Sequence, residues 1–206
     1  MHKEYRKDVR THKCIANIKE KYDYDLTKAS QKQLEKIVME IYEALGVIGL
    51  CPPITDIANK LGFTVYSFPF GKEAEEEYKA VFGVGVEFSL NENSNFFLVE
   101  KDESIDKKRF FIAYLLSYYL LKIDDRVTEF FNLPVMESSI KNDIITRMAL
   151  TLLMPEDKFL AYKELIKMSY ETNSKILSEN EFIQMAAQTF RVSPKMVKAR
   201  MILLRK

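Results

Sequence analysis

From Gln31 onward the apolar positions Leu34, Ile37, Val38, Ile41, Tyr42 and Leu45 recur at helical spacing, with Ser30 placed to cap the start and Gly46 to stop the end. They predict an amphipathic helix facing a core. Pro52 and Pro53 mark a turn, and Ile54 to Leu61 reads as a short helix closed by Gly62. Three runs with strand character follow: Phe63 to Phe68, Ala80 to Phe88 and Asn95 to Val99. An acidic stretch (Glu73, Glu75, Glu76, Glu77) separates the first two, and Asn91-Glu92-Asn93 the last two. Together they predict a small, mostly antiparallel sheet. The Gly83-Val84-Gly85-Val86 pattern lacks the full glycine fingerprint of a phosphate loop and the helix that should follow one, so it reads as a strand with glycine kinks.

Beyond Ser104 the spacing is helical: Ile105 to Lys122, Glu137 to Leu153, Pro155 to Tyr170, Glu179 to Phe190 and Pro194 to Leu204, with a polar linker at Glu171 to Lys175. The order of helices, sheet, then helices indicates an α+β fold with a helical C-terminal unit. Three segments are expected: a charged N-terminal extension over 1–30, a main domain over 31–172 and a helical unit over 173–206.

Composition narrows the functional classes. The chain has 206 residues, 47% of them hydrophobic, which is enough for one domain with a substantial core. Its 31 Lys and Arg balance 30 Asp and Glu, so any binding to nucleic acid must come from a local patch rather than a global field. Cys14 and Cys51 are not in a CxxC spacing and read as free thiols in a reducing cytoplasm. The charged stretch Met1 to Arg10 has no apolar core of a secretory signal, and the apolar run Phe110 to Leu121 is too short to span a bilayer. A cytoplasmic protein with no membrane partner is expected.

The segment Lys108-Arg-Phe-Phe-Ile-Ala-Tyr-Leu-Leu-Ser-Tyr-Tyr-Leu-Leu121 resembles the active-site helix of the ImmA/IrrE family of zinc metallopeptidases, whose pattern is approximately RFTIAHELGHYLL. Arg109, Phe110, Ile112, Ala113, Leu116, Tyr119, Leu120 and Leu121 match in register. Ala149 to Pro155 resembles the family's second signature, which ends in LLMP. Ala186 to Ser193, with Val197 and Arg200, resembles its C-terminal segment. The resemblance covers about residues 31–206 and implies a zincin-like main domain, with a small sheet packed on a buried helix.

The catalytic positions depart from the family. An HExxH helix puts two His on one face to hold zinc, and its Glu polarises the attacking water. Here those positions are Tyr114, Leu115 and Tyr118, and the position of the third ligand falls at Asn142, beside Asp143. A phenol with a pKa of about 10 is a poor zinc ligand at neutral pH, and Leu115 cannot accept a proton. His2 and His12, the only histidines, lie in the N-terminal extension. No metal and no cofactor is assigned, and no serine or cysteine triad or Walker loop is present. Tyr114 and Tyr118 read either as residues of a buried helix or, with Leu115, Asn142 and Asp143, as a degenerate cleft that holds a peptide without cutting it.

A second candidate lies at the C-terminus. Glu179 to Phe190, a turn at Arg191-Val192-Ser193, and Pro194 to Leu204 have the lengths of a helix-turn-helix, and Lys195, Lys198, Arg200 and Arg205 make its second half basic. These residues are candidate nucleic-acid contacts or a solvated face of a scaffold. The resemblance implies a non-catalytic regulator whose protein partner is a helix-turn-helix repressor of a bacterium, phage or mobile element. The alternatives are a DNA-binding regulator acting through the C-terminal helices and a hydrolase with displaced metal ligands. The oligomeric state is not assigned.

Overall fold

The computed structural model of the chain describes residues 28–69, 80–84, 95–121 and 144–205. Helix α1, Gln31–Leu45, starts at Ser30, whose hydroxyl accepts from the Gln33 N–H while the Gln33 side chain reaches back to the Ser30 backbone. It ends at Gly46, whose left-handed φ of 62° suits a residue without a Cβ. Helix α2, Ile54–Lys60, leads into strand β1, Phe63–Phe68; β2 is Ala80–Val84 and β3 is Asn95–Glu100. Four further elements are α3 (Ile105–Leu120), α4 (Ile144–Leu153), α5 (Glu156–Thr172) and α6 (Glu179–Phe190). The last is α7, Pro194–Leu204.

The fold is α+β, as the element order indicates, but the sheet is not mostly antiparallel. Its order is β1-β3-β2, with β3 parallel to β1 and antiparallel to β2. The reason is visible in β3 itself. Phe97 and Val99 are buried on one face while Phe96 and Leu98 are half-buried on the other, so this strand is apolar on both sides and takes the middle. A chain of three successive antiparallel strands would instead have left it at an edge.

Helices α2 and α3 pack against the sheet, and α3 packs in turn against α4. Phe63 stacks on Phe97 with ring centroids 4.4 Å apart, and Tyr119 of α3 meets Phe63 edge-on at 4.7 Å. A second aromatic group joins α5 to α6: Phe159 lies 5.7 Å from both Phe182 and Phe190, and Tyr162 lies 5.7 Å from Phe190. Core residues from Ala29 to Leu203 form one connected cluster, so α6 and α7 share the core of the preceding helices. No helix among the described residues is long and apolar enough to cross a membrane. His2, His12, Cys14, Gly85-Val86, the end of the second expected strand and residues 137–143 of the fourth expected helix lie outside the described residues.

Candidate functional site

Helix α3 carries the positions that resemble a peptidase helix. It buries Phe110, Ile112, Ala113, Leu115, Leu116, Ser117 and Leu120. Ser117 is tolerated there because its hydroxyl donates to the Ala113 carbonyl one turn back, at 2.7 Å. Tyr114 and Tyr118, one helical turn apart, are half-buried and pack against the core, and the half-buried Phe111 continues their stripe toward the N-terminus. The Tyr114 ring leans on Phe110 at 6.0 Å. Arg109, at the head of the same motif, ties α3 to the Pro52 turn by donating from Nη2 to the Pro52 carbonyl at 2.9 Å; burial lowers its pKa.

Leu115 does not belong to a cleft open to a partner. It is 2% exposed, because a residue one step along the helix from Tyr114 is rotated by about 100° into the core. Asn142 and Asp143 lie outside the described residues, and α4 begins just after them. The residues that correspond to a zinc site do not fit the metal: α3 offers two phenols and an isobutyl group. Among the described residues, no three His, Cys, Asp or Glu side chains converge in a way that could hold an ion.

The polar centre of the molecule is elsewhere. Arg200 of α7 is 0% exposed, with Nη2 2.6 Å from Oε1 of Glu35 on α1. Its Nε donates to the Met154 carbonyl at 2.7 Å and its Nη1 to the Thr151 hydroxyl at 3.5 Å. Glu35, 6% exposed, also accepts from Gln31 Nε2 at 2.6 Å and from the Glu156 N–H at 3.1 Å, where α5 starts. Gln31 Nε2 reaches Thr151 at 2.8 Å, and Thr151 donates to the Arg147 carbonyl at 2.9 Å. Four helices thus meet on one buried ion pair. Burial lowers the Arg200 pKa and Glu35 opposes that shift.

Arg200 is therefore an internal tie and not a nucleic-acid contact. The sequence did carry a signal for this pair. Glu35 follows the apolar stripe of α1 three residues before Val38, and Arg200 lies between Val197 and Leu203 on the stripe of α7, so each charge occupies a core position.

Helices α6 and α7 form a tight pair. Ser178 caps α6 with a capping box completed by Glu181, and Ser193 caps α7 ahead of Pro194. Between them Arg191 takes the left-handed conformation, φ 52° and ψ 53°, and Val192 N–H returns to the Ala187 carbonyl at 3.0 Å. The turn thus has the bend that glycine usually provides. Lys195 and Lys198 are exposed, and Arg205 is exposed with Glu179 3.4 Å away. The structure brings Lys195, Lys198 and Arg205 onto the outside of α7 and sets Arg200 apart from them. In comparison with known proteins, the chain matches no family model, no curated protein and no solved structure.

Proposed function

We propose that this chain is a non-catalytic relative of the ImmA/IrrE metallopeptidases that binds a protein partner, a helix-turn-helix repressor, on the α3 face carrying Tyr114 and Tyr118. The observation that supports this reading most is the half-buried stripe Phe111, Tyr114 and Tyr118, which occupies the helix face where the family's motif places its ligands. The motif's scaffold residues serve the fold here: Arg109 fastens the Pro52 turn, Tyr119 docks on Phe63, and Leu116 and Leu120 are buried. With no donors for zinc and no proton acceptor at Leu115, the stripe can supply apolar and phenolic contacts to a peptide but no hydrolytic chemistry.

The test is direct. The tagged chain is purified from its native cell after nuclease treatment, co-purifying proteins are identified by mass spectrometry, and the candidate repressor is then made separately and titrated against the pure chain. Tyr114→Ala with Tyr118→Ala should weaken that binding at least tenfold while far-UV circular dichroism stays unchanged. Unaltered affinity in the folded double variant would remove α3 from the account.

A further inference from the structure

The charge of this chain is balanced overall but not along its length. From Phe182 to Lys206 there are six Lys and Arg residues and no acid, whereas the whole chain holds 31 against 30. Arg200 is withdrawn from this set by its buried pair with Glu35. Among the described residues that leaves Arg191 in the turn and Lys195, Lys198 and Arg205 on α7, all exposed. Lys195, Lys198, Ile202 and Arg205 stand three, four and three residues apart, so they occupy an arc of about 80° on the outer side of the helix. The opposite side, with Met196, Val197, Arg200 and Leu203, is buried.

We propose that α6 and α7 form a helix-turn-helix that binds the phosphate backbone of duplex DNA through Lys195, Lys198 and Arg205. The assignment is independent of the reading of α3. Charge complementarity selects the partner: a stripe of cations without an acid on its own helix matches the regular line of phosphates. Glu179 meets Arg205 at 3.4 Å with both side chains about two-thirds exposed, a weak surface pair that a phosphate can replace. The geometry fits as well. A helix about 10–12 Å across with its side chains fits a major groove about 12 Å wide, and the 11 residues of α7 give it about 16 Å of length to lie along. Ser193 and Pro194 fix its start, and Arg200 ties its inner side to the Met154 carbonyl, so the cations stand on a helix anchored to the core. Gln184 and Gln188, exposed on α6 near the turn, add neutral hydrogen-bonding groups.

Fluorescence anisotropy of a labelled mixed-sequence 30-base-pair DNA, titrated with the intact chain, tests the assignment. Three phosphate contacts give a log–log salt slope of about −2.7, so binding should weaken about 40-fold between 50 and 200 mM salt. Lys195→Gln with Lys198→Gln removes two contacts and should bring the slope to about −0.9. Lys163→Gln with Lys167→Gln, on the exposed side of α5, should leave it unchanged. All four lysines are exposed, so urea midpoints of both double variants should equal that of the parent. Absence of binding at 50 mM salt, a slope near zero, or an equal loss in the α5 variant overturns the proposal. Equally strong binding to a double-stranded RNA of the same length overturns the assignment to DNA.

Discussion

Glu35→Gln keeps the shape of the side chain and removes its charge, leaving the Arg200 guanidinium fully shielded from water beside a neutral amide. The Met154 carbonyl and the Thr151 hydroxyl still accept from it, but neither carries a charge. Breaking one side of such a pair costs about 3–5 kcal/mol, because the remaining charge stays buried and uncompensated. For a chain of this size each kcal/mol shifts the thermal midpoint by roughly 2–4 °C, so the midpoint should fall by roughly 6–20 °C. Arg200→Met should cost less, about 3 kcal/mol, since the Glu35 carboxylate keeps the Gln31 amide and the Glu156 N–H. The double variant buries no unpaired charge and should be milder than the sum of the singles by at least about 2 kcal/mol. Urea unfolding with linear extrapolation measures all four chains, and an unchanged m-value confirms that stability alone has moved. A cost below about 1 kcal/mol for Glu35→Gln, or strict additivity in the double variant, would refute the role given to this pair.

Two further predictions concern single elements. The Glu181 carboxyl is held below its usual range by the Ser178 hydroxyl and N–H, so this cap contributes fully above the ordinary carboxylate pKa and is lost as pH falls through the lowered folded value. Ser178→Ala should cost about 1 kcal/mol at neutral pH in urea melts and flatten that part of the acid dependence. Burial pushes the Tyr42 phenol far above its ordinary pKa, and it donates to the Leu152 carbonyl. Its contribution is present below about pH 10, the unfolded value, and is lost as pH rises above that. An ultraviolet titration of wild type against Tyr42→Phe should show the Tyr42 phenolate only when the chain unfolds; ionisation in the native state would contradict the burial.

Local structure was legible where one residue decides it. Ser30 and Gly46 bound α1 as their chemistry requires, and α6 and α7 run between the residues that spacing indicates. The i, i+4 relation of Tyr114 and Tyr118 correctly put both on one face of α3. What periodicity hid was the choice between two burial states for a neighbour: Leu115 is apolar, and apolar residues suit a cleft wall as well as a core. The place of Arg200 on the apolar stripe of α7 signalled its burial, but its surroundings in the sequence pointed the other way. Its basic neighbours Lys195 and Lys198 suggest a solvated surface, and only the three-dimensional approach of Glu35, 165 positions earlier, makes its burial tolerable. The strand order was likewise beyond local pattern, since apolar residues on both faces of β3 indicate a central strand without saying which strands flank it.

That strand order governs how the sheet can be assembled as the chain is synthesised. β1 and β2 leave the ribosome first and run antiparallel to each other, yet in the finished sheet they never touch. Eleven residues separate Phe68 from Ala80, a short enough connection for the two to meet as a hairpin before Asn95 exists. Such a hairpin would pair one edge of each strand and take the place between them that β3 fills in the finished sheet. A sheet that paired this way would have to part before β3 could enter, so the order in which the strands emerge bears on how fast the fold is reached and not on which fold it is.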